Sequence, residues 1–387
     1  MSTYPVRGFQ TAEFQDRLKL AQKMMLNANL SALLLTTEAE IRYFTGFLTR
    51  FWESPTRPWF LIVPQNGDPI AVIPAIGAHL MRQTWISDIR TWRAPDYSYD
   101  GIGLLSAALV ETCAQDGTIG VPDLMESHVR IPLSALRQLE DQLKPRKIVG
   151  DAGIVRRLRM IKSEAEISKI AAACAIAERG FARVNEIAAV GVPLSQVFRR
   201  FQALCLEEGA DWVPYLAGAA GQGGYGDVIS PAVDTPLCAG DVLMLDTGLV
   251  WDGYFCDFDR NFILGEPTSS YQTAHNCVMQ AINAGFAVAK PGAVISDLFH
   301  AMNNVVNADQ DGSDAGRLGH GVGMQLTEWP SIIKNDHTPL EPGMVLALEP
   351  GVATGDGTLM VHEENIVITE TGARFLSDFQ PNPRREL

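Results

Sequence analysis

The chain has 387 residues, 47% of them hydrophobic and 20% charged, the balance of a packed globular protein and not of a disordered or collagen-like one. Lysine and arginine number 31 against 45 aspartates and glutamates, a formal charge of -14. So acidic a surface repels phosphate backbones and argues against a nucleic-acid partner.

At roughly 150 residues per domain, the length predicts two to three domains. The amino terminus has no apolar core of signal-peptide length. The longest apolar runs, such as 31–36 and 59–64, are too short to span a bilayer. Six scattered cysteines without a CxxC pair predict reduced thiols in the cytoplasm.

Residues 1–150 read as an α/β domain. Helical spacing covers 13–28, and 31–36 is a short apolar strand. Strands at 59–64 and 69–74 flank a Gln65-Asn66-Gly67-Asp68 turn, a hairpin signal. A helix at 100–114, a strand at 118–121 and a helix at 132–143 follow. Residues 151–387 read as a second domain. Ser163 and Glu166 form a capping box that opens a long helix, ended by Gly191-Val192-Pro193. A second helix spans 194–208, and a glycine-rich loop covers 218–226. Strand-rich chain then encloses helices at 269–289 and 297–307.

The chemistry lies in the last 150 or so residues. Asp246 and Asp257 flank a Trp251-Asp252-Gly253 turn, so a hairpin can set them opposite each other. Asp259 falls on the same face as Asp257, so a register slip of two still leaves a carboxylate facing Asp246. Glu349 and Glu363 repeat the construction about Asp356 in a Gly355-Asp356-Gly357 turn. Facing carboxylates in apolar strands repel and are costly to bury. Two such hairpins point to bound cations that offset the repulsion. Between them, in LGHGVGM, His320 adds an imidazole among glycines that let the backbone approach closely. Oxygen donors with one nitrogen suit Mn²⁺, Fe²⁺, Co²⁺ or Zn²⁺ in a two-metal site, where two divalent ions balance four carboxylates.

The pattern D-x₁₀-D, GHGVG, E-x₁₃-E resembles the pita-bread-fold metallohydrolases, which include methionine aminopeptidase, aminopeptidase P, prolidase and creatinase. LRMIKSEAEI at 158–167 is similar to the entry helix of the prolidase and creatinase catalytic domain. The resemblance implies an α+β pita-bread catalytic domain over 151–387, behind a creatinase/prolidase-type α/β domain over 1–150. It also implies a ligand set of Asp246, Asp257, His320, Glu349 and Glu363, with Asp257 and Glu363 bridging two divalent transition-metal ions. Spacing to Thr369 favours Glu363 over Glu364.

Two peptidase histidines are missing. Gly224–Pro231 contains none, and the position seven residues after His320 is Thr327, followed by Glu328. Tyr225 and Asp227 are expected to line the pocket where the first would stand, with Thr327 and Glu328 at the second. His362 is expected to point away from its neighbour Glu363 and to be structural. Similarity to creatinase-like dimers implies that Arg57 reaches into the partner's site and holds a substrate carboxylate, a task suited to a forked guanidinium. Trp52 is expected to form an aromatic wall.

The implied activity is dinuclear metal-dependent hydrolysis of a small carboxylate-bearing amide, as in an Xaa-Pro dipeptidase or aminopeptidase. A metal-bridging hydroxide would attack, with Glu349 taking the proton and His320 beside it. The alternatives are a lyase like the superfamily's dimethylsulfoniopropionate lyases and a creatinase-like non-peptide amide hydrolase. Retention of all five ligands disfavours a non-enzymatic binding module. A cytoplasmic homodimer, manganese-dependent and without membrane attachment, completes the expectation.

Overall fold

The computed structural model describes residues 4–54, 58–307, 316–355 and 357–379. The chain divides into a unit of Val6–Arg159 and a unit of Met160–Leu387 that also takes in Met1–Pro5.

In the first unit, α1 (Thr11–Asn27) buries Phe14, Leu18, Ala21 and Met25, the one-sided spacing that makes it amphipathic. Strand β1 (Ala32–Leu35) and helix α2 (Glu38–Thr45) follow. The carboxylate of Glu40 accepts the Thr37 N–H at 3.2 Å and so caps α2, which the sequence reading passed over. Then come β2 (Phe60–Pro64), β3 (Ile70–Pro74), α3 (Ala78–Met81), β4 (Asp88–Trp92), α4 (Ile102–Thr112), β5 (Thr118–Val121), α5 (Leu133–Leu143), β6 (Lys147–Gly150) and α6 (Ile154–Met160). The six strands order as β4-β3-β2-β1-β5-β6. Leu34, Phe60, Ile62 and Val72 of the sheet pack on Leu105 and Leu109 of α4 and on Leu139 and Leu143 of α5.

The second unit opens with α7 (Glu164–Ala182), whose cap is the predicted one: Ser163 Oγ accepts the Glu166 N–H, and the Glu166 carboxylate accepts the Ser163 N–H. The helix stops at Ala182, short of the expected Gly191, and a 3₁₀ turn at Val184–Glu186 follows. Next are α8 (Leu194–Glu207), β7 (Trp212–Gln222), β8 (Asp241–Trp251), β9 (Tyr254–Phe255), β10 (Phe258–Ile263), α9 (Ser269–Val288) and α10 (Ile295–Val306). The closing run is β11 (Gly319–Gly321), β12 (Glu328–Ser331), β13 (Val345–Leu348), β14 (Gly351–Gly355), β15 (Thr358–Val361), β16 (Glu364–Ile368) and β17 (Ala373–Phe375).

One sheet is β10-β8-β7 with β9 on β8, and another is β12-β11-β13-β16-β17. Ile282, Leu298, Phe299 and Met302 of α9 and α10 pack on Leu346, Leu348, Ile366 and Ile368 of the second sheet. The expected loop at 218–226 is half strand, because β7 runs through Gln222 against β8. A side chain at Gly218 would collide with the Met244 carbonyl oxygen at 2.5 Å, so glycine lets the strands close. Among the described residues, no helix is long and apolar enough to cross a membrane, and all six cysteines are free.

Candidate metal centre

Two hairpins bring the carboxylates together, but in different registers. In the first, Asp246 of β8 lies opposite Asp259 of β10, not opposite Asp257. The pairing continues past the turn as Trp251 with Tyr254. Two more residues of ladder than the Asp246–Asp257 midpoint implies push Asp257 to the lip of β10. In the second hairpin Leu348 pairs with Glu364, and Gly351 with Val361 in the β14–β15 extension. That register puts Glu349 across from Glu363, as the spacing predicts. Asp356, the expected midpoint, lies outside the described residues.

Asn365 of β16 joins the hairpins. Its side-chain oxygen accepts the Asp257 N–H at 3.0 Å, and its amide nitrogen donates to the Asp257 carbonyl at 2.6 Å. Asp259 adds a second link by accepting the Glu363 N–H at 2.8 Å. Gly319 and Gly321 let β11 nest between β12 and β13, which presents His320 to the cluster. The His320 Nδ1–H donates to the Gly321 carbonyl at 2.9 Å. Its Nε2 faces Glu349 at 2.8 Å and Asp257 at 3.2 Å.

Two groups of donor atoms result, each gathered within 4.8 Å: Asp257, His320 and Glu349, and Asp246, Asp257 and Glu363. Asp257 is common to both. Asp246 Oδ1 is buried and, among the described residues, has no hydrogen-bond partner, an uncompensated state that a cation would relieve. Burial, followed by the charges of Asp257 and Asp259, drives Asp246 well above the usual carboxylate range. Burial with the charges of Asp246 and Glu349 does the same to Glu363. Burial raises Asp257 to about 6, against the opposing pull of His320 and, more weakly, of Arg317. Burial lowers His320, but Glu349 and Asp257 outweigh it and hold the imidazole at about 10. So dense a set of acids fits divalent cations, which remove the repulsion.

The other expected site residues fall in several places. Tyr225 is 1% exposed. Its hydroxyl donates to Asn261 and accepts the Val361 N–H, so it is core where a pocket residue was expected. Asp227 is exposed, and its carboxylate accepts the Ile229 and Ser230 N–H groups within its own loop. Glu328 is buried against Lys162 at 3.1 Å and accepts the Gln325 N–H, which makes it a structural ion partner. Thr327 Oγ1 lies 3.5 Å from His320 Nε2. His362 is buried, with Nε2 at 3.0 Å from Glu364. Glu364 also meets Arg260 and Ser377, which leaves Glu363 to face the cluster. Trp52, in the first unit, packs at a tilt against Trp59, 5.6 Å between ring centroids, and under the guanidinium of Arg130. Arg57 lies outside the described residues.

Sequence reasoning missed Tyr215 and Asn365, whereas Asp259's place opposite Asp246 is the two-residue register slip that the sequence left open. Half-buried Tyr215 hydrogen-bonds Asp246, and burial together with that carboxylate's charge pushes its phenol far up, so it stays a donor. Tyr215 and Asp246 are 31 residues apart and meet only because β7 pairs with β8, so the sequence held no signal for it.

Residues 17–161 match the sequence model of the creatinase/prolidase N-terminal domain, and residues 168–370 that of metallopeptidase family M24. The chain is 27% identical over 377 residues to the probable dipeptidase PepE of Mycobacterium tuberculosis, covering 95% of each. It is 23% identical to the Xaa-Pro dipeptidase of Pyrococcus furiosus, covering 94% of this chain and 98% of that protein. Its fold superposes on crystalline dipeptidase PepE from Mycobacterium ulcerans with a TM-score of 0.84 at 26% identity, over 98% and 100% of the two chains. On the prolidase from Pyrococcus horikoshii the TM-score is 0.81 at 22% identity, over 94% and 99%. With its pita-bread catalytic domain, creatinase-type amino-terminal domain and ligand set suited to divalent metal ions, the chain belongs to metallopeptidase family M24 and is a hydrolase.

Proposed function

We propose that this chain is a dinuclear metal-dependent dipeptidase that cleaves small amides bearing a free carboxylate, Xaa-Pro dipeptides foremost. The observation that carries the reading is the pair of donor groups sharing Asp257. Asp246, Asp257 and Glu363 would hold one ion, and Asp257, His320 and Glu349 the other; manganese, iron, cobalt and zinc all suit these donors. When bound, the ions would supply Lewis acidity and an activated water.

The chain's own residues divide the remaining work. Glu349, half-buried where Asp246, Asp257 and Glu363 are buried, takes the proton of the attacking water and returns it to the leaving amine. The Gly321 carbonyl fixes the His320 ring by binding Nδ1–H, which directs Nε2 toward the ligand set. Tyr215 donates to Asp246 and stabilises its ionised form. The dipeptidase and Xaa-Pro dipeptidase relatives favour hydrolysis over the lyase alternative. Six free cysteines support a cytoplasmic setting. The homodimer completed by Arg57 rests on the creatinase resemblance, and sedimentation of the intact chain tests it.

The experiment is to load the protein with Mn²⁺, Co²⁺ or Zn²⁺ and to measure free amino acid released from Xaa-Pro and non-proline dipeptides. Release from Xaa-Pro substrates that stops on chelation is expected. Metal-replete protein that releases nothing from any dipeptide would contradict the reading.

A further inference from the structure

Arg317 stands at the open side of the cluster. The residues there grade from buried to exposed: Asp246, Asp257, His320 and Glu363 are buried, Glu349, Thr327 and Tyr215 are half-buried, and Arg317 is exposed. Glu349 and Arg317 thus both lie toward the less buried side of the cluster. The backbone beside it is pinned. The Leu318 N–H donates to the Ile332 carbonyl at 2.9 Å, and the Leu318 carbonyl accepts the Glu349 N–H at 3.0 Å. Arg317 is therefore one residue from a position tied directly to Glu349.

Its guanidinium reaches toward the reacting centre. Arg317 Nη2 lies 3.5 Å from Thr327 Oγ1, which in turn lies 3.5 Å from His320 Nε2. Its charge is felt at Asp257. Other cations of this unit are consumed by carboxylates: Lys162 by Glu328, Lys169 by Asp252, and Arg260 by Glu178 and Glu364. Among the described residues, Arg317 makes no ion pair. A forked cation held beside an acidic cluster, with only a long contact to one hydroxyl, has its paired donors available for a planar anion.

We propose that Arg317 is a specificity-determining residue that takes the free carboxylate of the substrate, from the same chain that supplies Glu349. This assignment rests on the dipeptidase reading and deepens it. It gives the site a carboxylate anchor that does not depend on Arg57 of a second chain.

The test compares L-proline with L-prolinamide as ligands of the Mn²⁺-loaded protein by calorimetry, for wild type, Arg317→Gln and Arg317→Lys. Metal content and thermal midpoint are measured on each sample. A charge-assisted bidentate contact predicts that wild type favours proline by on the order of 10- to 100-fold. Arg317→Gln should bring the two ligands within about twofold by weakening proline alone, with Arg317→Lys between, since lysine keeps charge but not the fork. Unchanged discrimination in Arg317→Gln, at full metal content, would overturn the assignment while leaving the dipeptidase reading intact. Wild type that hydrolyses Xaa-Pro dipeptides yet binds proline and prolinamide equally would also overturn it. Wild type that neither binds proline nor hydrolyses any dipeptide would overturn the dipeptidase reading, and the assignment with it.

Discussion

Asn365 carries no charge and belongs to no motif, yet its amide holds both main-chain groups of Asp257. A buried amide needs partners for its donors and its oxygen. Which partners it finds depends on strands far apart in sequence, so its role was not legible beforehand. The four carboxylates of the proposed centre, Asp246, Asp257, Glu349 and Glu363, stood out because carboxylates in apolar strands conflict with burial unless something compensates them. Tyr225 misled for the converse reason: beside glycines a tyrosine reads as a pocket residue, whereas here its ring completes a core. His275 yields a prediction at this scale. It is 8% exposed, stacked near Tyr271 and edge-on to His362. Burial, followed by the charge of His362, lowers it to about 4. Above pH ~6.5 the ring is neutral in both folded and unfolded chains. As pH falls from ~6.5 to 4 the unfolded chain takes the proton first, so stability is lost across that window. The full difference is about 3 kcal/mol. Urea melts at pH 7 and pH 4.5 should show wild type losing more stability than His275→Gln. Equal losses would contradict the assignment.

Glycine governs the element that carries the imidazole. Gly319 has φ +139, and a Cβ there would run into the carbonyl oxygen of Ala347 on β13. At Gly321 a Cβ would meet the Trp329 carbonyl oxygen at 2.6 Å. Strand β11 thus lies between its neighbours with no room for side chains on either side of His320. Gly319→Ala should cost about 2–3 kcal/mol through strain and separation of β11 from β13. It should also weaken metal binding, because His320 moves with the strand. A urea midpoint and metal content equal to wild type would contradict this. The hairpins show what spacing alone could resolve. For Glu349 and Glu363 the midpoint rule holds through both halves of the ladder. For Asp246 it fails by two residues, since β9 extends the ladder to Tyr254 and brings Asp259 opposite. Apolar periodicity also carried the expected α7 past its end at Ala182. There Arg183 closes the turn by pairing with Glu186, Glu207 and Glu208, contacts that periodicity does not encode.

At the scale of the molecule, the sequence revealed the central strands and hid the edges. Strands β1, β2 and β3 are buried throughout and read directly as apolar runs. Strands β4 and β6, at the two ends of the same sheet, are mostly half-exposed and gave no such signal. The second unit was legible because its function concentrates charge where a core forbids it. Its donor groups lie on or next to strands of two sheets, so the centre forms only when both hairpins have folded and Asn365 has joined them. Cations that bind the folded state of a chain with formal charge -14 that also buries this many acids would stabilise it.

The direct measurement is metal content by mass spectrometry on protein purified without chelator and reloaded with Mn²⁺, beside Asp257→Asn and Asp246→Asn. Because Asp257 belongs to both donor groups and Asp246 to one, about two ions per chain are expected in wild type, close to none in Asp257→Asn and about one in Asp246→Asn. Wild type that holds one ion or none, or Asp257→Asn that keeps two, would contradict the shared two-metal centre.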